Sequence, residues 1–77
     1  MVKVLLFAQF QEAAGTESVD VDAAGKQVDH VKSILKENYN LLELDNATVA
    51  VNQEYVDMDT ELKEGDTVAF IPPVSGG

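Results

Sequence analysis

The sequence VDHVKSILKENY, residues 28–39, has the apolar spacing that is typical of an amphipathic helix. Val28, Val31, Ile34, Leu35 and Tyr39 fall on one side of the chain when it is wound at about 3.6 residues per turn. The two preceding residues, a lysine and a glutamine, are poor helix caps. The stretch therefore predicts one helix with a single buried face.

Short β-branched runs on both sides of this helix predict strands. They cover residues 2–8 and 17–22 before the helix, and 47–51, 55–56 and 67–71 after it. Residues 9–16 are predicted to be a connection, residues 41–46 a loop or short turn, and residues 52–54 and 63–66 turns, with a single helical turn at 59–62. The first two strands should form an antiparallel hairpin. The order ββαβββ indicates an α+β fold, in which one main helix packs on one face of a mixed β-sheet.

The alternation of side chains along a strand separates an inward from an outward face. The inward residues of the first strand are predicted to be Val2, Val4, Leu6 and Ala8. Lys3 should face solvent, which places Leu5 and Phe7 on the outward face beside it. Ala69 and Ile71 share the outward face of the last strand, and Tyr55 lies on the adjoining edge. An exposed apolar patch of this kind often marks an interface. The predicted partner-contacting residues are therefore Leu5, Phe7, Tyr55, Ala69 and Ile71.

The composition of the chain excludes several kinds of site and classes of partner. The chain has 77 residues, a net charge of −9 and no cysteine. This length indicates one domain, and the missing cysteine excludes disulfides, zinc–thiolate sites and a thiol nucleophile. The acidic balance disfavours nucleic acid as a partner and favours a basic protein. The apolar start is too short for a membrane span or a signal peptide, so a cytoplasmic protein without membrane contact is expected.

Side chains suited to catalysis are few. His30, the single histidine, lies between two buried positions of the helix and should be solvated. Asp57 and Asp59 are close in sequence but lack the glycine and the distal glutamate of a calcium loop. No cofactor or metal is expected on this chain, and most carboxylates are typical of a solubilising surface.

The C-terminal stretch differs from the rest, because residues 67–77 carry no charged side chain. A domain over residues 1–72 is predicted to end at a proline pair, which stiffens the exit of an extended, flexible tail, residues 73–77. Gly76 and Gly77 have no Cβ, so this end fits a narrow channel. The stretch from Pro72 to Gly77 can be buried in a partner without burying a charged side chain. The terminal carboxylate would then be the reactive group. The residues predicted to contact the partner here are Pro72, Pro73, Val74, Ser75 and Gly76.

Three segments carry a family resemblance: KVLLFA at 3–8, VAVN at 49–52 and GDTVAFIPPVSGG at 65–77. Together with the ββαβββ order, they resemble the ubiquitin-like β-grasp proteins, and within them the sulfur-carrier small subunits of molybdopterin synthase.

This resemblance implies a carrier with catalytic side chains on another chain. A ubiquitin-activating-type adenylyltransferase would use ATP to adenylate the carboxylate of Gly77, and a sulfur donor enzyme would convert it to a thiocarboxylate. The large synthase subunit would receive the tail and transfer the sulfur to cyclic pyranopterin monophosphate, in a heterotetramer of two small and two large subunits.

Two alternatives remain at this point. One is a sulfur carrier of another pathway, such as thiamine-thiazole synthesis. The other is a ubiquitin-like modifier or binding module that is joined to lysines through Gly77. A small enzyme fits the side-chain inventory poorly.

Overall fold

The computed structural model describes residues 1–72, apart from the side chains of residues 42 and 43. The strands are β1 (Val2–Leu6), β2 (Ser18–Val21), β3 (Thr48–Val51), β4 (Glu54–Tyr55) and β5 (Thr67–Ile71). The helices are α1 (Gln9–Ala14), α2 (Val28–Tyr39) and a 3₁₀ helix at Leu42–Asn46. The α2 bounds confirm the helix predicted from residues 28–39, and the α+β class is confirmed with them.

The five strands form one mixed sheet in the order β2-β1-β5-β3-β4. β1 pairs with β2 antiparallel, as predicted, and with β5 in parallel. β3 pairs antiparallel with both β5 and β4. The last strand in the sequence is therefore the central strand of the sheet. Among residues 1–72, no helix is long and apolar enough to cross a membrane.

The core lies between the inner face of the sheet and α2. Val2, Val4 and Leu6 of β1 are buried, in agreement with the predicted alternation. Opposite them the apolar stripe of α2 buries its own side chains. The main core residues are Val2, Val4, Leu6, Phe10, Val28, Val31, Leu35, Leu44, Val49, Leu62, Val68 and Phe70.

The start of α2 shows why a weak cap is tolerated there. No side chain caps the helix at Gln27. Instead, the backbone N–H groups of Val28 and Asp29 donate to the carbonyl oxygens of Thr60 and Met58, both at 2.9 Å. The segment between β4 and β5 thus supplies main-chain acceptors to the otherwise unpaired N–H groups of the helix.

The segment between β4 and β5 differs from the helical turn predicted for it. Residues 59–62 do not form a helical turn: the N–H of Thr60 closes a turn on the carbonyl of Asp57, and Glu61 then forms an isolated antiparallel bridge with Gln27. Leu62 is fully buried, and its N–H donates to the carbonyl of Lys26 at 2.7 Å. Pairing with a distant part of the chain has overridden the local preference of a short segment.

The connection between β1 and β2 also differs from what the sequence predicted. The predicted connection at 9–16 contains a short helix that the sequence did not predict, α1, which buries Phe10 and ends at Gly15 in the left-handed conformation. Ala8 does not face the core: β1 ends at Leu6, and Ala8 is exposed in the turn that follows.

Candidate functional site

The outer face of the sheet carries the candidate site. Its strand register places Ser18, Leu5, Ala69, Ala50 and Tyr55 side by side in one row across all five strands. Because residues paired in register point to the same side of a sheet, this row lies opposite the core. The five apolar residues predicted to form a patch are brought together here.

A shallow depression of about 580 Å³ runs over this face. It is lined by Leu5, Phe7, Ala50, Asn52, Gln53, Tyr55, Thr67, Ala69 and Ile71. None of these side chains is charged, although charged residues make up 25% of the chain. Within the described residues, the depression is thus an uncharged area on an acidic protein, and the charged register partners Lys3 and Asp20 lie beside it on the same face.

Two aromatic side chains border the depression from opposite sides. Phe7, beyond the end of β1, is 43% exposed, and Tyr55, on the edge strand β4, is 76% exposed. Large apolar side chains left in solvent at the rim of an apolar depression are typical of a surface that docks a partner.

A tight turn directs Phe7 outward. Ala8 has φ 50° and ψ −125°, the conformation of the second residue of a type II′ turn, which favours glycine. The N–H of Phe10 donates to the carbonyl of Phe7 at 3.1 Å and closes the turn. Phe10 is buried while Phe7 is half exposed, so the strained turn sends two neighbouring aromatic rings to opposite environments.

The polar end of the depression is held by Asn52. Its Nδ2 donates to Oδ1 of Asp66 at 3.0 Å, and its Oδ1 accepts the N–H of Thr67 at 3.1 Å. Oδ2 of Asp66 in turn accepts the backbone N–H of Lys63 at 2.8 Å. This backbone hydrogen bond, and then the one from Asn52, lower the pKa of Asp66 below its ordinary value. The network fixes the turn before β5 against the end of β3.

Four lining residues were not predicted from the sequence: Ala50, Asn52, Gln53 and Thr67. Ala50 is only 7% exposed, yet it does not belong to the core cluster. Its alternation with the inward-facing Val49 and Val51 was the signal that could have found it. Asn52 and Gln53 have positive φ values of 52° and 72° in the turn between β3 and β4, where an Asn signals a tight hairpin.

β5 connects this face with the chain end. Ala69 and Ile71 line the depression, and Pro72, half-buried, follows the strand directly. The predicted tail residues Pro73, Val74, Ser75, Gly76 and Gly77 lie outside the described residues. Their assigned roles, including that of the Gly77 carboxylate, stay predictions.

The remaining candidates behave as surface residues. His30 is exposed on α2, as predicted. Among residues 1–72, no group of His, Asp and Glu side chains is arranged to hold a metal ion. Asp45 instead forms ion pairs with Lys32 at 3.1 Å and Lys36 at 2.8 Å, which link the 3₁₀ helix to α2. Hydrogen bonds from Lys36, then Lys32, lower the pKa of Asp45.

Comparison with known proteins identifies the family to which the chain belongs. Residues 4–77 match the model of the ThiS family. The molybdopterin synthase sulfur carrier subunit of Escherichia coli is 40% identical, and the similarity covers 100% of both chains. The subunit of the same name from Homo sapiens is 37% identical, with 99% of this chain and 93% of the human protein covered.

Solved structures agree with the fold. The complex of subunits 1 and 2 of the molybdopterin-converting factor from Helicobacter pylori contains a chain with a TM-score of 0.72 and 31% identity, covering 99% of this chain and 97% of that one. The small archaeal modifier protein 1 of Methanosarcina acetivorans has a TM-score of 0.83 and 29% identity, with 99% and 95% covered. These neighbours have the ubiquitin-like β-grasp fold that the sequence predicted. By its sequence over residues 4–77, the chain belongs to the ThiS family, and over its full length it is similar to the sulfur carrier subunits of molybdopterin synthase.

Proposed function

We propose that this chain is the sulfur carrier subunit of a molybdopterin synthase, working in the cytoplasm with a large catalytic subunit. The carboxyl group of Gly77 would carry the sulfur as a thiocarboxylate. The similarity to carrier subunits over the whole chain supports the pathway, and the H. pylori complex of two subunits supports a large-subunit partner.

The observation that carries the proposal is the continuity between the outer depression and β5. The strand that forms the centre of the depression also leads to the C-terminal tail. A carrier whose reactive group is its own end needs a docking surface at a fixed distance from that end. A partner held on Leu5, Phe7, Tyr55, Ala69 and Ile71 would receive the tail in a defined direction.

The chemistry requires activation by other proteins. A carboxylate is a poor electrophile, and this chain has no Walker-type phosphate loop. We infer that an adenylyltransferase joins the Gly77 carboxylate to the AMP portion of ATP and releases pyrophosphate. A persulfide of a donor enzyme then attacks the acyl carbon and displaces AMP. Cleavage of the S–S bond by a thiol leaves the thiocarboxylate, which donates its sulfur to cyclic pyranopterin monophosphate in the large subunit.

The test is to incubate the purified chain with its activating enzyme, ATP and a sulfur donor, and to measure its mass. The expected result is the exchange of one terminal oxygen for sulfur at Gly77. Deletion of Gly77 should abolish the exchange and leave the fold intact, because the carboxylate is displaced from its reacting position. Ser75→Ala is the matched control, since it changes the tail and keeps both glycines. Full exchange in the deletion variant would contradict the proposal.

A ubiquitin-like modifier is the second candidate. The 29% identity to an archaeal modifier protein supports this candidate function. In this case the activated Gly77 would form an amide with lysine side chains of other proteins. Lysine conjugates without any thiocarboxylate in the same incubation would support the modifier and refute the carrier.

A further inference from the structure

We propose that Ala50 and Ala69 determine which partner docks, because together they leave room for one bulky, uncharged side chain of the large subunit. This inference rests on the proposed function and adds the shape and chemistry of the contact. Ala50 and Ala69 become specificity-determining residues of docking.

The two alanines form the floor of the depression. They are direct partners in the β3–β5 register, so their methyl groups lie next to each other on the outer face. In the same row, Leu5 lies on one side of them and Tyr55 on the other. Small residues flanked by large ones make a concave seat, and any larger side chain at either alanine would fill it.

The polar groups of the depression argue against a small-molecule ligand. Its volume of about 580 Å³ lies in the range of ligand pockets, but such pockets also present polar groups that orient the ligand. Here the side chain of Asn52 is already bonded to Asp66 and to the N–H of Thr67. No lining side chain is charged. The other polar side chains of the lining, those of Gln53, Tyr55 and Thr67, surround a floor of Ala50 and Ala69 that has no polar side-chain group. The floor therefore matches an apolar side chain of a protein.

The charge of this chain indicates which charge the partner's docking surface should have. Lys3 and Asp20 are register partners on the same face, beside the lining residue Thr67, and the chain as a whole carries −9. A partner that presents an apolar side chain within a basic surface matches both the uncharged floor and the acidic net charge of the chain. A second copy of this chain does not, because two acidic surfaces would repel.

The floor of the depression and the start of the C-terminal tail also belong to one continuous segment of the chain. Ala69 belongs to β5, three positions before Pro72, and β5 is bonded to a strand on each side. A side chain seated on Ala69 would thus fix the start of the tail in the same contact. Docking at the floor and entry of the tail into the large subunit become one event.

The experiment measures the Kd of the full chain for the large subunit by titration calorimetry. Ala69→Val fills the seat while supplying a residue that strands favour. Its Tm should stay at or above that of the wild type, and its Kd should rise about 10- to 100-fold, as expected for overpacking a matched contact. Thr67→Ile fills the other end of the depression and serves if Ala69→Val does not fold. Thr48→Ile, on the same face but outside the depression, is the matched control.

The result that overturns the inference is a folded Ala69→Val or Thr67→Ile variant that binds as tightly as the wild type. A rise in Kd of the same size for Thr48→Ile would overturn it too, since any enlarged residue on the face would then act alike. The Phe7→Ala variant distinguishes the docking face as a whole from the seat formed by the two alanines. If it weakens binding and the filled variants do not, the docking face stands and the seat fails. If the wild type does not bind the large subunit at all, the proposed function fails with the inference.

Discussion

Replacing Tyr55 by threonine tests the docking face most directly. Most of this side chain is free to be buried by the partner, and little of it is buried in its own domain. An aromatic side chain offers about 200 Å² for burial. With 76% of it exposed, about 150 Å² remains available, worth about 3.8 kcal/mol at about 25 cal/mol per Å². Ordering the ring on binding opposes this by about 1 kcal/mol. The remainder, about 2.8 kcal/mol, corresponds to about 100-fold in Kd.

The effect on folding should be much smaller. The part of Tyr55 already buried is about 50 Å², so its loss costs at most about 1.2 kcal/mol, and threonine keeps the preference for a strand. The assay is calorimetric titration of the large subunit, with the free energy of unfolding measured by urea. Tyr39→Thr, the same change at the end of α2 on the other side of the sheet, should lower stability and leave Kd unchanged. Equal effects of the two variants on Kd, or no effect of Tyr55→Thr, would refute the reasoning.

Three further predictions concern the fold. Ala8→Gly should raise the free energy of unfolding by about 1 kcal/mol, because the strain of a non-glycine residue at this φ exceeds the entropy cost of glycine; a drop in urea midpoint would contradict this. Leu62→Ala should cost about 2–5 kcal/mol, since this fully buried side chain fixes the segment that caps α2, whereas Lys63→Ala beside it should have little effect on thermal unfolding. Asp66, whose pKa is lowered by folding, contributes stability above its ordinary value of 3.8 that is lost as the pH falls through the lower folded value. The stability difference between the wild type and Asp66→Asn should therefore shrink between about pH 5 and pH 2, and a constant difference would exclude the carboxylate as its source.

The sequence was sufficient for the elements with a strong local pattern. The spacing of Val28, Val31 and Leu35 predicted α2, and the alternation along β1 predicted which of its residues line the outer face. The floor of the site was missed for a physical reason: residues 47–51 include no charged side chain that marks the solvent side, so Ala50 had no assigned face. Its place beside Ala69 depends on the register of β3 against β5, which distant parts of the chain set together.

The turn at Ala8 and the path of residues 59–62 were missed for a related reason. Each conformation is unfavourable or undecided locally and is selected by long-range contacts. At Ala8 the burial of Phe10 determines the turn, and at residues 59–62 the pairing of Glu61 with Gln27 and the burial of Leu62 determine the path.

The central position of β5 also governs how the domain responds to force. A partner that draws the tail into a narrow channel pulls along β5, whose ladder bonds to β1 and β3 run across the direction of pull. These bonds are then loaded together in shear, and β5 could leave the sheet only by breaking the ladders on both of its sides, whereas an edge strand would have to break one. The chain end can therefore be held under tension while the domain behind it stays folded.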